Sequence, residues 1–294
     1  MMVGTGGEIG DLLYALPTIR SLRIPHIRNL ERLWTRPQWL ARSKSLKRLV
    51  ESQDYIDSFQ DWSGEPIIDL TTYRANGMKY GDTIIERIAR HAGVKPAFSP
   101  WLQVEPSKST EGLIIISRCP RWKSFWWPYK SIVAQLRPLL RFIGTDQEHK
   151  DFCAEFGFIE RILCSDMLEV AQAIAGSLLF IGNQSSPFAI AEALHHPSVL
   201  EVCPTACDCV THRANCVYSV DGSLDFEVAG KRIQIESMVQ PYSYQVGGRM
   251  ISGRSEWECE TMARAEHVIQ GLPLPPIAAI RSGICPSHLP NRQD

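Results

Sequence analysis

No stretch of this chain approaches the roughly 18 consecutive apolar residues that a helix needs to cross a bilayer. Its opening residues, MMVGTGGEIGD, have neither the basic nor the apolar region of a secretory leader. A cytoplasmic protein is the expectation, with any membrane contact peripheral to the inner face. No D-x-D sequence occurs, so the usual carboxylate pair for holding a divalent cation against a diphosphate is missing. Cys203, Cys207, Cys209 and Cys216 stand close together with His212 among them, but not in the paired C-x-x-C spacing of zinc sites. Neither a metal nor another cofactor is expected. Basic residues are not interleaved with aromatics as on a nucleic-acid platform, which argues against a nucleic-acid partner. Nine cysteines, an odd number scattered from Cys119 to Cys285 in a chain of this size, point to reduced thiols.

What is there suits a globular enzyme or binding protein. Hydrophobic residues make up 44% and charged residues 21% of 294 residues, and that length suggests two modest domains. The net charge of −1 hides a local excess: residues 20–48 hold nine Lys or Arg against one acid, Glu31. Such a stretch is either a solvated face or a landing site for an anionic acceptor or lipid headgroups.

Short apolar runs alternate with amphipathic stretches, the pattern of βα units and parallel sheets. MMVGT reads as a strand, followed by a Gly-rich turn and a helix from about Asp11 to Arg23. A helix is expected after Pro37, since proline suits the first helical turn. YIDSF and PIIDL read as strands, and DTIIERIARHAG as a helix closed by Gly93. Residues 94–111 carry three prolines and no period, and read as an interdomain connection. The alternation then restarts: strands in GLIIIS, RFIGTD, LLFIGN and SVLEVC, with helices in PYKSIVAQLRPLL, DQEHKDFCAEFG, DMLEVAQAIAGS and SSPFAIAEALHH. From about residue 222 the signal fades, apart from a helical spacing in SEWECETMARAEHVIQG. Residues 272–294, with five prolines, read as a poorly ordered tail. The fold class is therefore α/β, with two Rossmann-like doubly wound domains at 1–108 and 109–235, and a helix and tail at 236–294.

Three loops carry candidate chemistry. In GTGGEIGD, Gly6, Gly7, Glu8 and Gly10 lead into a helix whose free N–H groups suit an anion. Asp11 at its start is either a cap favoured by the helix dipole or a carboxylate placed to accept a proton from an attacking hydroxyl. In SRCPRWKSFWWP, a strand end is followed by Arg118, Arg121 and Lys123 among Trp122, Trp126 and Trp127. Those cations suit a pyrophosphate, and the alternative is a surface loop whose tryptophans pack on the next helix. In FIGNQSSPFAIAEAL, Asn183, Gln184, Ser185 and Ser186 enter a helix with Pro187 in its first turn. The serines serve either as caps or as a phosphate seat. Glu192 shares a helical face with Ser185 and is placed to accept hydrogen bonds from a ribose. His195 and His196 close that helix, where a cation suits the dipole.

GEIGDLLYALPTIRSL resembles the opening motif of glycosyltransferase family 9, the ADP-heptose:lipopolysaccharide heptosyltransferases, in which a Gly-rich loop precedes an acid and a Leu-rich, Pro-containing helix. FIGNQSSPFAIAEALHHPSVLEV resembles that family's second signature, a strand followed by an Asn-Asp-Ser/Thr-Gly-Pro turn. The resemblance covers about residues 3–210. It implies the two-domain GT-B fold, with acceptor on the N-terminal side and nucleotide sugar on the C-terminal side. It further implies a cytoplasmic, metal-independent, inverting transfer from a nucleotide-diphosphate sugar to a glycan, lipid-linked or protein acceptor. By this resemblance Asp11 is the catalytic base, the 118–123 loop binds the diphosphate, and Ser185 and Ser186 lie on the phosphate-contacting turn. Gln184 stands where the family has an acid, Ser186 where it has glycine, and Ala189 where a histidine is usual. Two other readings share the nucleotide site: a catalytically silent nucleotide-sugar-binding module, and a UDP-sugar epimerase.

Overall fold

The computed structural model describes residues 1–30, 40–76, 82–124, 127–235, 242–253 and 256–286. Its first half builds β1 (Val3–Thr5), α1 (Ile9–Leu22), β2 (His26–Asn29), α2 (Leu40–Glu51), β3 (Ser58–Asp61) and β4 (Ile68–Asp69). These four strands pair in parallel in the order β3-β2-β1-β4. Helix α3 (Ile84–His91) then starts from a capping box: the Thr83 hydroxyl accepts the Glu86 N–H at 3.1 Å, and the Glu86 carboxylate accepts the Thr83 N–H at 2.9 Å.

The second half alternates β5 (Ile114–Ser117), α4 (Tyr129–Leu136), β6 (Leu140–Phe142), α5 (Asp146–Phe156), β7 (Glu160–Arg161), α6 (Met167–Gly176), β8 (Leu179–Asn183), α7 (Ser186–Ala193), β9 (Ser198–Glu201) and β10 (Cys216–Ser219). Its six strands are all parallel in the order β10-β9-β8-β5-β6-β7. Strands β5 and β8 are buried along their whole length, because helices cover both faces of the sheet. In each sheet the chain runs outward from a first strand, then returns to that strand's other side. The crevice at such a reversal, beyond the carboxyl ends of the strands, is where open α/β sheets bind ligands.

Helix α1 joins the halves. Leu12 to Ile19 are buried without interruption, because α1 packs on α3 from one side and α7 from the other. Pro17 lies inside this helix and cannot donate to the carbonyl of Leu13. The indole N–H of Trp101 takes its place, donating to Leu13 O at 3.0 Å. Trp101 and Leu102 are themselves buried, and their N–H groups donate to Ala193 O at 3.0 and 3.2 Å. The connection at 94–111 is thus a bolt through both halves. Two ion pairs cross beside it, Arg87 to Asp208 at 3.2 Å and Arg48 to Asp166 at 2.7 Å.

The chain departs from its sequence reading mainly after residue 222. Strands β11 (Leu224–Val228) and β12 (Lys231–Ile235) form one hairpin; β13 (Tyr242–Val246) and β14 (Arg249–Gly253) form a second. Helix α8 (Glu256–Ile269) packs on the second hairpin. Helix α9 (Ile277–Gly283) and β15 (Cys285–Pro286), which pairs with β13, occupy the stretch expected to lack order. Pro37, where a helix was expected to begin, Trp126, parts of the basic stretch and residues 287–294 lie outside the described residues.

His195 and His196 do not act as charged caps. Helix α7 ends before them, and His195 turns left-handed (φ 53°) to lie edge-on to Trp101. His196 is buried with Nε2 3.0 Å from Ser177 Oγ, and burial pulls its pKa down to about 4. The folded form therefore holds His196 neutral while the unfolded chain takes up a proton below about pH 6.5. Stability is fully present above that pH and declines as pH falls toward 4. Denaturant titrations at pH 7 and pH 5 should differ by roughly 2 kcal/mol from this residue, at about 1.4 kcal/mol per pH unit. His196→Asn should lose most of that difference.

Candidate functional site

The carboxyl ends of both sheets face one cavity of about 1020 Å³. One wall is the Gly6–Asp11 loop, with Tyr14, Ser45, Thr71 and Tyr73. The other is built from the loops that follow β5, β6, β7, β8 and β9. Of the sequence-predicted residues, Gly6, Gly7, Glu8, Gly10, Asp11, Arg121, Gln184, Ser185 and Ser186 line it.

Asp11 is held in place from two directions. Its Oδ2 accepts the Glu8 N–H at 3.1 Å, and its Oδ1 accepts the Tyr73 hydroxyl at 3.2 Å. It is therefore both a cap and a carboxylate on the cavity wall. Gly7 makes this possible: at φ 97° it occupies a region that disfavours side chains, and an added Cβ would fall 2.5 Å from Asp11 Oδ2. Gly7→Ala is expected to displace that carboxylate and to destabilise the fold by about 1–3 kcal/mol, read as a lowered Tm.

The loop after β5 divides its cations. Arg118 faces away from the cavity, in a bidentate pair with the buried Glu201 (Nε to Oε2 3.0 Å, Nη2 to Oε1 3.1 Å). Its guanidinium also lies 4.9 and 5.1 Å from the ring centres of Tyr129 and Phe156. The donor-binding expectation for Arg118 is corrected: it is a pillar under the loop, because a buried carboxylate claims its fork. Lys123 does not line the cavity either. Arg121 does, with Nη1 3.2 Å from Glu8 Oε1 on the opposite wall. Trp122 lines it beside Arg121, half-exposed and left-handed at φ 55°.

Asn183 is fully buried and grips this loop rather than a ligand. It accepts the Cys119 N–H at 3.0 Å and donates to the carbonyls of Cys119 (3.1 Å) and Arg121 (2.6 Å). Gln184 is likewise engaged, accepting from Cys203 N at 2.7 Å and donating to Ala206 O, though one of its faces reaches the cavity. Ser185 is the N-cap of α7, but its hydroxyl donates to Asn183 O at 3.2 Å and makes no capping bond. The α7 N-terminus thus meets the cavity without that side-chain acceptor, which suits it to an anion.

Glu192 is corrected too. It is buried, accepts from Thr211, pairs with Arg213 at 3.3 Å, and does not line the cavity. Burial pushes its carboxyl above the usual range despite Arg213. Its helical face is the one that packs against the 211–213 segment.

Several lining residues were not singled out from the sequence. Tyr73 lies 62 residues from Asp11 in sequence. Ile143, Gly144 and Thr145 follow β6, and Ile162 and Cys164–Met167 follow β7; their position after parallel strands was the available cue. The cavity thiols are poor nucleophiles: burial raises Cys119, and raises Cys164 to about 11. Among the described residues no group of three or more His, Cys, Asp or Glu is placed to hold a metal ion.

No protein-family model matches the chain, and no curated protein matches it by sequence. Solved structures match it in shape. The glycosyltransferase family 9 protein of Veillonella parvula aligns at TM-score 0.51 and 14% identity, over 74% of this chain and 84% of that one. TibC of enterotoxigenic E. coli, described as an iron-containing dodecameric glycosyltransferase, aligns at 0.50 and 15%, over 75% and 62% of the two chains. E. coli ADP-heptose lipopolysaccharide heptosyltransferase II aligns at 0.45 and 16%, over 74% and 89%. What the chain shares with the Veillonella protein and TibC is the fold, two doubly wound parallel sheets facing across a cleft.

Proposed function

We propose, from a GT-B fold shared with a family 9 glycosyltransferase, that this chain moves a sugar from a nucleoside diphosphate to an acceptor hydroxyl. One observation carries the reading. A carboxylate (Asp11), a helix N-terminus (Ser185 and Ser186) and an arginine (Arg121) from two different sheets converge on one cavity. The diphosphate lies against the N-terminus of α7 and Arg121, and the nucleoside runs toward the loops after β6 and β7. Both supports offer N–H donors to the charge that develops on the leaving diphosphate.

The acceptor hydroxyl attacks the anomeric carbon from the Asp11 side and passes its proton to the carboxylate. The bond to the diphosphate oxygen breaks on the opposite face, which inverts the anomeric centre. The leaving group's charge is met by Arg121 and backbone N–H groups, without a metal. An acid at a helix N-terminus is a weak base, so Asp11 contributes largely through placement.

A silent binding module is the second reading, favoured by one observation. Arg121 and Arg161 are the cations among the described lining residues, and both are already paired, Arg161 with Asp146 at 3.3 Å. A thermal-shift screen of ADP, UDP, GDP, CDP and their sugar conjugates, with and without EDTA, separates the possibilities. Transfer predicts a shift with one nucleoside diphosphate, unchanged by EDTA, and a product of inverted anomeric configuration by NMR. A shift without turnover in any acceptor mixture supports the silent module. No shift at millimolar nucleotide overturns both.

A further inference from the structure

We infer that Glu8 is a charge gate on the diphosphate site, a carboxylate that a ligand phosphate must displace from Arg121; this rests on the diphosphate reading above. The contact that carries it spans the cavity. Arg121, from the loop after β5, holds Glu8, from the N-cap of α1, at 3.2 Å. Both side chains are partly exposed, at 56% and 31%, so the pair is open to exchange. The backbone beneath each partner is fixed. Asn183 clamps the Arg121 carbonyl at 2.6 Å, and the Glu8 N–H is bound by Asp11 at 3.1 Å. With both backbones held, the guanidinium and the carboxylate meet across the cavity through their side-chain torsions, and a phosphate that binds the guanidinium at this point takes Glu8's place.

The displacement costs every ligand that takes Arg121 the same ion pair, so Glu8 lowers the affinity of monophosphates and diphosphates alike. Through its N–H, which Asp11 accepts, Glu8 also links donor entry to the turn that carries Asp11.

The test is calorimetric titration of the nucleoside diphosphate that binds the wild type, and of its monophosphate, into wild type, Glu8→Gln, Arg121→Ala and the double variant. Glu8→Gln should tighten the diphosphate about two- to fivefold, the worth of an exposed ion pair. It should tighten the monophosphate by a similar factor, leaving the ratio between them unchanged. In the Arg121→Ala background the same change should have little effect. Equal tightening with and without Arg121 overturns the exchange, because Glu8 then acts by simple repulsion. Unchanged affinities in Glu8→Gln, with wild-type Tm, overturn the gate while leaving the diphosphate site standing. Failure of the wild type to bind any nucleotide overturns the functional reading instead.

Discussion

Asp11→Asn should bind the donor as the wild type does and lose transfer by about 10²- to 10⁴-fold, the usual contribution of a positioned general base. The amide oxygen of asparagine can still accept from the Tyr73 hydroxyl or from the Glu8 N–H, both of which now bond Asp11. The fold should therefore change little in Tm. The expected pattern is a fall in kcat with donor Kd preserved, since proton acceptance is needed in the transition state and not in the bound ground state. Loss of donor binding in this variant would move Asp11 from the chemistry to the scaffold. Tyr73→Phe gives a graded companion: it removes the bond that orients one oxygen of Asp11, and should lower kcat by less.

The second large effect concerns stability. Arg118→Ala strips the partner from Glu201, a carboxylate with no exposure that also accepts the Tyr129 hydroxyl at 3.0 Å and the Ser124 N–H at 2.9 Å. Leaving a buried charge without its counter-ion costs about 3–5 kcal/mol. For a chain of this size that corresponds to a Tm lower by about 6–20 °C. Arg121→Ala should show the reverse pattern. It is partly exposed, so its removal should leave Tm nearly unchanged and weaken the diphosphate. If Arg118→Ala instead keeps its Tm and loses nucleotide, the buried-pillar account of Arg118 is wrong.

That contrast marks how far the sequence could be read. The place of Asp11, Ser185 and Ser186 on the cavity wall was legible because each sits where a parallel strand passes into a helix, and local rules put such residues at the carboxyl end of a sheet. Arg118 sits in the same kind of position and was misread. Its direction is decided by Glu201, on a strand that meets β5 only through the sheet, and nothing local to Arg118 reveals it. Glu192 failed for the same reason, since Arg213 and Thr211 lie well downstream. Tyr73 touches Asp11 only in the folded chain. Long-range partners of charged groups are the part of a site that periodicity does not encode.

The hairpins after residue 222 were legible in principle. Leu224, Phe226 and Val228 alternate with acids, and the facing strand returns Ile233 to the same side. Their turn, Ala229-Gly230, takes φ 51° and 71° without the Asn-Gly or Asp-Gly usually sought for it. Gly247-Gly248 in the second hairpin is a stronger cue. Helix α1 shows the opposite case. Its Pro17 is unfavourable by local propensity, and its tolerance rests on Trp101, far along the chain, donating to the carbonyl that proline leaves open.

The central claim is that a nucleoside diphosphate occupies the cavity between the two sheets. Hydrogen–deuterium exchange with and without saturating nucleotide tests it most directly, because it maps slowed amides along the chain. The account predicts protection at residues 6–11, 118–124 and 184–189, with the hairpins at 224–253 unchanged. Protection confined to those hairpins, or absent from residues 184–189, would contradict it.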